Sequence, residues 1–180
     1  MVRYNPYAGE PEPEEITLEE YASSWIDMDA HFRQLQELGS RVKTVVEFGL
    51  RGGVSTWALL DGLPEDGSLI GVDIDPDALV ARRVKADPRF TFLVGDSIRV
   101  RLPRRVDLVM IDSSHMYDQT VKELRVAAKM KPQYIVLHDY YYRADDCRVK
   151  EAVDEFVALG FYKIDVIHES HWGLAVLVPS

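Results

Sequence analysis

Five acidic residues, Glu47, Asp73, Asp96, Asp112 and Asp139, and two histidines, His115 and His138, stand where short apolar runs of the chain give out. The first belongs to Glu47-Phe-Gly49-Leu-Arg-Gly52-Gly53-Val-Ser55. Its glycines allow a tight turn and a close approach of ligand to backbone, and a helix starting there points its unsatisfied N–H groups at whatever binds. The spacing differs from the Gly-x-Gly-x-x-Gly of dinucleotide-binding turns. Asp73 closes Gly71-Val-Asp73, and a carboxylate at that place can accept both hydrogens of a ribose diol. Gly95-Asp96-Ser97 offers a third carboxylate suited to an adenine amino group, although the same tripeptide is ordinary turn chemistry. The last two groups, Asp112-Ser-Ser-His115 and His138-Asp139, bring two carboxylates that could hold a divalent cation and an imidazole that could take a proton, the equipment of chemistry at oxygen.

These residues serve one site only if their elements end at one edge. An open parallel α/β sheet does this, with ligands bound at the carboxyl ends of its strands where the strand order reverses. After Gly39 the chain has that rhythm. Runs rich in β-branched residues predict strands over 44–48, 69–74, 90–94, 107–111 and 134–137, alternating with helices over 54–60, 77–86, 117–130 and 148–159. In the last helix Val149, Ala152, Val153, Phe156 and Val157 share one face, and Gly160 stops it. Strands over 162–168 and 174–178, joined by a few residues including Gly173, pair as an antiparallel hairpin. The expected fold is α/β: a Rossmann-like, mostly parallel seven-stranded sheet with helices on both faces and a C-terminal antiparallel hairpin. Residues 1–16, with Pro6, Pro11 and Pro13 among Glu10, Glu12, Glu14 and Glu15, read as a flexible N-terminal arm, and residues 17–180 as a single domain. Leu18, Tyr21, Trp25, Met28, Phe32 and Leu35 predict an accessory helix over 17–38, with Thr17 and Glu20 as a capping box. Such a helix packs on the core, or serves as a lid or as the seam of a homodimer.

Taken in order, the Glu-x-Gly-x-x-x-Gly-x-Ser turn, Asp73 and Asp96, the run IDSSHMYDQTVKEL after the fourth strand and IVLHDYY at the fifth resemble class I S-adenosylmethionine-dependent methyltransferases. Within these the likeness is to bacterial small-molecule O-methyltransferases of the catechol, macrolide-sugar and cephalosporin-pathway branch. It runs from about Val45 to Pro179 and includes the closing hairpin, where an ordinary dinucleotide fold continues in parallel. The resemblance implies a cofactor site of Glu47, Gly49, Gly53, Ser55, Asp73, Asp96, Ser97 and Asp112, with Glu47 meeting the cationic amino group of the cofactor's methionine part. It implies catalysis by His115, Asp112 and Asp139, because the family's base, a lysine or histidine, lies three residues beyond the strand-four aspartate. Metal-dependent members hold magnesium with that aspartate and an acidic pair after strand five, which makes Asp112 and Asp139 candidate ligands. His138 stands where relatives place a carboxylate or asparagine and is the third candidate, although magnesium prefers oxygen to imidazole. The implied reaction is methyl transfer to a hydroxyl of a small molecule or sugar-containing metabolite.

Composition narrows the partners. The net charge of −9 leaves no basic face to displace counterions from phosphates, so no nucleic acid is expected. Neither a secretory signal nor an apolar run of roughly 20 residues is present, no membrane partner is expected, and the lone Cys147 cannot form an internal disulfide; together these predict a cytoplasmic protein. Tyr140, Tyr141 and Tyr142 could stack on an acceptor or cover core. His168, His171 and Trp172 read as structural, Cys147 lacks a base partner, Arg99, Arg101, Arg104 and Arg105 form a solvated loop, and Asp75 before Pro76 opens a helix. Two other readings compete: a nucleotide-binding oxidoreductase, which the missing Gly-x-Gly-x-x-Gly disfavours, and a catalytically silent domain that keeps the cofactor fold.

Overall fold

The computed structural model of the chain describes residues 16–23, 28, 30–78, 81–143 and 146–180. Seven strands, β1 (Thr44–Phe48), β2 (Ser68–Asp73), β3 (Phe90–Val94), β4 (Leu108–Ile111), β5 (Tyr134–His138), β6 (Tyr162–His168) and β7 (Leu174–Pro179), form one sheet in the order β3-β2-β1-β4-β5-β7-β6. The first five are parallel, whereas β7 runs antiparallel between β5 and β6. The expected architecture is therefore the observed one, closing hairpin included.

Among the described residues six helices cover the sheet: α1 (Leu18–Ser23), α2 (Phe32–Gly39), α3 (Val54–Gly62), α4 (Arg82–Ala86), α5 (Tyr117–Lys129) and α6 (Val149–Val157). Alternation along the strands sorts the core into two layers. Val45, Leu69, Leu108, Met110 and Val136 pack with Leu35, Leu38 and α3, while Val46, Phe48, Val109, Ile111 and Ile135 pack with Leu124 and Ala127 of α5 and Val153 of α6. Helix α3 is buried from Val54 through Leu60 because it lies between the sheet and α2, so it is apolar all round rather than striped.

Three expectations are corrected or bounded. The arm at 1–15 lies outside the described residues. The single helix over 17–38 is two helices, with Met28, Ala30 and His31 in turn conformation and the His31 N–H donating to the Met28 carbonyl at 3.0 Å. At the end of α1 the Ser23 hydroxyl donates to the Glu20 carbonyl at 2.8 Å, the kind of side-chain bond that competes with the helical backbone for its own hydrogen bonds. The capping box holds: the Thr17 hydroxyl and backbone N–H both donate to Glu20 Oε2, at 2.8 and 2.9 Å. Tyr21 and Leu35 of the stripe, with Ala22 and Leu38, belong to this chain's own core. The helix expected from Asp77 begins only at Arg82, since the Asp75 carboxylate and carbonyl take the N–H groups of Asp77 and Ala78 and close a turn first.

Candidate active site

The carboxyl ends of β1, β2, β3, β4 and β5 share one edge, and the order reverses between β1 and β4. The turn after β1 is held from several sides. Gly49 and Gly53 have φ of +84° and +79°, and a Cβ on Gly49 would collide with the Asp112 carbonyl, so only glycine fits there. Asp73 fastens this turn to β2: its Oδ2 accepts the Leu50 N–H and its Oδ1 the Asp75 N–H, both at 2.9 Å. Each oxygen keeps a second acceptor position. The Tyr21 hydroxyl of α1 donates to the Gly52 carbonyl at 2.6 Å. Glu47 is wholly buried below the turn. The Ser55 hydroxyl donates to its Oε1, whereas Oε2 has no hydrogen-bond partner. Burial, resisted by the Ser55 bond, pushes its pKa up to about 8. Burial thus favours the protonated form of Glu47, and a positive charge at Oε2 would favour the ionised one. Asp96 is half-buried; its Oδ1 accepts the Ile98 N–H and its Oδ2 lies 3.3 Å from the exposed Arg99, which is turn chemistry that leaves the carboxylate reachable.

Asp112, His115, His138 and Asp139 come together at the ends of β4 and β5. His115 Nε2 lies 3.1 Å from Asp112 Oδ1 and 2.9 Å from Asp139 Oδ2, and His138 Nδ1 lies 3.2 Å from Asp139 Oδ1 and 3.6 Å from Asp112 Oδ1. His115 and Asp139 hold left-handed backbone, with φ of +59° and +61°. Non-glycine residues pay for that conformation, and it persists where surroundings fix it. The Arg148 N–H at the start of α6 donates to the His115 carbonyl at 3.0 Å. Burial alone would lower the His115 pKa, but its bonds to Asp112 and Asp139 outweigh burial and push it up to about 10. Burial likewise works against the charge on Asp112, yet the His138 charge and the bonds from both histidines hold its pKa well below the usual carboxylate range. The resting site is a charge-paired cluster in which His115 already carries its proton.

One ligand atom each of Asp112, His138 and Asp139 falls within 4.8 Å of the others. That set offers two carboxylate oxygens and one imidazole nitrogen, and both carboxylates already face His115. Magnesium takes oxygen ligands in a near-ideal octahedron, and the acidic pair is here a histidine and an aspartate, so these residues do not fit it.

The structure also brings to the site His31 and Glu123, which carried no expectation from the sequence, and Trp172, which read as structural. His31 is completely buried with neither ring nitrogen hydrogen-bonded, its ring edge-on to His138 at 5.4 Å between centroids. Burial, then the neighbouring histidines, pull its pKa down to about 4. Trp172 stands edge-on to His138 at 6.5 Å and packs with Tyr142 at 4.7 Å. Tyr140 belongs to the core, its hydroxyl donating to Asp154 at 2.7 Å, so of the three tyrosines it is not a stacking surface. Glu123 of α5 is a buried carboxylate holding Ser97 and Ser113. Glu123 had a usable signal, an acidic residue on a helical face with Thr120, Leu124 and Ala127; His31 had none.

A family model described as a methyltransferase domain matches residues 46–140. Among solved structures, a protein of Corynebacterium glutamicum has a TM-score of 0.75 at 17% identity, covering 93% of this chain and 92% of its own. An O-methyltransferase from Bacillus cereus in complex with SAH gives 0.71 at 19%, covering 93% and 92%. The O-methyltransferase TomG from Streptomyces achromogenes, involved in tomaymycin synthesis and solved with SAM, gives 0.67 at 14%, covering 93% and 91%. At such identities the likeness is one of fold. No curated protein sequence matches significantly.

Proposed function

Because the chain belongs to the methyltransferase-domain family, we propose that it binds S-adenosylmethionine (SAM) at the turn 47–55 and transfers the methyl group to a hydroxyl oxygen of a small molecule. The observation that carries this reading is the unpartnered Glu47 Oε2, buried under a glycine turn at the switch point, with a charge-paired Asp–His cluster one strand away. A cationic amino group would complete Glu47, and Asp73 and Asp96 at the next two strand ends would accept from ribose and adenine. Ser55 and Ser97 hold Glu47 and Glu123, which makes them supports beneath the cofactor. When bound, SAM supplies a methyl on a sulfonium sulfur, which leaves as a neutral thioether as the acceptor oxygen attacks.

The chain's own residues must hold the acceptor in line and receive its proton. Since His115 is already protonated at rest, it can act as base only after the acceptor oxygen enters between it and a carboxylate, weakens that pair and lets His115 give up its own proton to the freed carboxylate or to water; the neutral ring then takes the hydroxyl proton. The Asp112–His115–Asp139 unit then titrates as one system, and the proton passes through it to water. Orientation supplies a further share of the rate. The alternative of hydride transfer has no residue of this site assigned to it. The test is methyl transfer from radiolabelled SAM to a panel of phenols, catechols, sugar alcohols and matched amines. Label in a hydroxyl acceptor is the expected result; label in amines alone would overturn the oxygen assignment.

A further inference from the structure

Glu123 is wholly buried on the second turn of α5, and the proposed reaction gives it nothing to do. Its partners lie on three segments. The Ser97 hydroxyl, from the loop after β3, donates to its Oε1; the Ser113 hydroxyl, from the loop after β4, donates to its Oε2 at 2.7 Å; and Gln119 Nε2 donates to Ser97 Oγ at 3.0 Å and to Glu123 Oε1 at 3.1 Å. Burial raises the Glu123 pKa against these bonds. A buried carboxylate is an expensive way to fill space, and a fully satisfied polar network specifies one arrangement of what it joins. What it joins are not neighbours: β2 and β1 lie between β3 and β4 in the sheet. Ser97 directly follows Asp96, and Ser113 directly follows Asp112.

We propose that Glu123 is a positioning residue that couples the loop bearing Asp96 to the loop bearing Asp112, so that order at the nucleoside end of the crevice fixes the residues that act on the acceptor. The purpose of the coupling rests on the cofactor reading above; the coupling itself does not. An isolated structural support would answer to local damage only, whereas a coupler transmits damage from one loop to the other.

Hydrogen exchange on the full chain, with and without S-adenosylhomocysteine (SAH), separates the two. Ser97→Ala is expected to speed exchange in 112–116, and Ser113→Ala to do the same in 95–100, each by about two- to tenfold, the worth of one net hydrogen bond. Glu123→Gln, which keeps the size but replaces one acceptor oxygen by a donor, should loosen both loops. Ser113→Ala should also weaken SAH binding about two- to tenfold, measured by calorimetry, although Ser113 lies on the acceptor side. Changes confined to the loop that carries each substitution overturn the proposal, and so does SAH affinity unmoved by Ser113→Ala in a wild-type chain that binds SAH. A wild-type chain that fails to bind SAH overturns the cofactor reading instead, and exchange in the ligand-free chain then decides the coupling.

Discussion

Burial raises the Glu47 pKa to about 8 against the hydroxyls of Ser55 and Thr56, which favours the protonated form at neutral pH. A cation arriving at Oε2 reverses that balance, since an opposite charge nearby favours the ionised form. Binding of SAH at pH 7 should therefore release close to one proton per chain, read as a dependence of calorimetric enthalpy on the ionisation enthalpy of the buffer. Glu47→Gln should bind more weakly and show no such dependence; a wild-type enthalpy independent of buffer would remove Glu47 from the cofactor site. His115 makes the complementary case. Its ring is fixed between Asp112 and Asp139 by strained backbone and by Arg148, so His115→Ala should cut turnover by about 10²–10⁴ while changing SAH affinity little. Unchanged turnover would show that the carboxylates manage the proton alone. The acidic strand ends and both histidines of this cluster were legible in the sequence, because each follows an apolar run whose end must face the crevice. Their protonation was not, for it depends on distances between residues on different strands.

At the scale of elements, α1 acts on the cofactor turn through one hydroxyl. Tyr21→Phe removes the bond to the Gly52 carbonyl and should cost about 0.5–1.5 kcal/mol in stability, with weaker SAH binding, as judged by denaturant unfolding and calorimetry. Stability lost without any effect on binding would mean that the turn holds its shape unaided. Strand β1 lies where its apolar run predicts, because a buried strand must be apolar at consecutive positions, and the edge strands β3 and β6, largely exposed on one side, lie where their β-branched and aromatic residues predict. Helices were less legible. The stripe from Leu18 to Leu35 kept its period across a stretch whose serines and aspartates favour turns, and Asp75 captured the backbone that a helix from Asp77 would have used. Glu123 escaped notice for a different reason: its partners Ser97 and Ser113 are 26 and 10 residues away, and only the packing of α5 against two loops brings them together.

For the whole molecule, the buried ionisable groups set how stability depends on pH. Between pH about 4.5 and 8 the folded chain retains a proton on Glu47 that the unfolded chain has released, so stability falls as pH rises through that window, by roughly 4–5 kcal/mol in total. His115, raised from 6.5 to about 10, adds stability that is full below its unfolded value and fades from pH 6.5 upward. Asp112 and Asp139, both held low, contribute above their ordinary value and lose that contribution in acid. His31, lowered to about 4, works the other way between pH 4 and 6.5 and offsets Glu47 there, so the ligand-free protein should lose stability chiefly above pH 6.5, and Glu47→Gln should make that fall between pH 6.5 and 8 shallower by one proton's worth in denaturant titrations; a slope between pH 6.5 and 8 unchanged by Glu47→Gln would contradict the burial of Glu47. The most direct test of the central claim is calorimetric titration of the wild-type chain with SAH and, separately, with NADH. The glycine turn, Glu47, Asp73 and Asp96 predict one SAH per chain and no heat from NADH, whereas saturable binding of NADH with none of SAH would contradict the account.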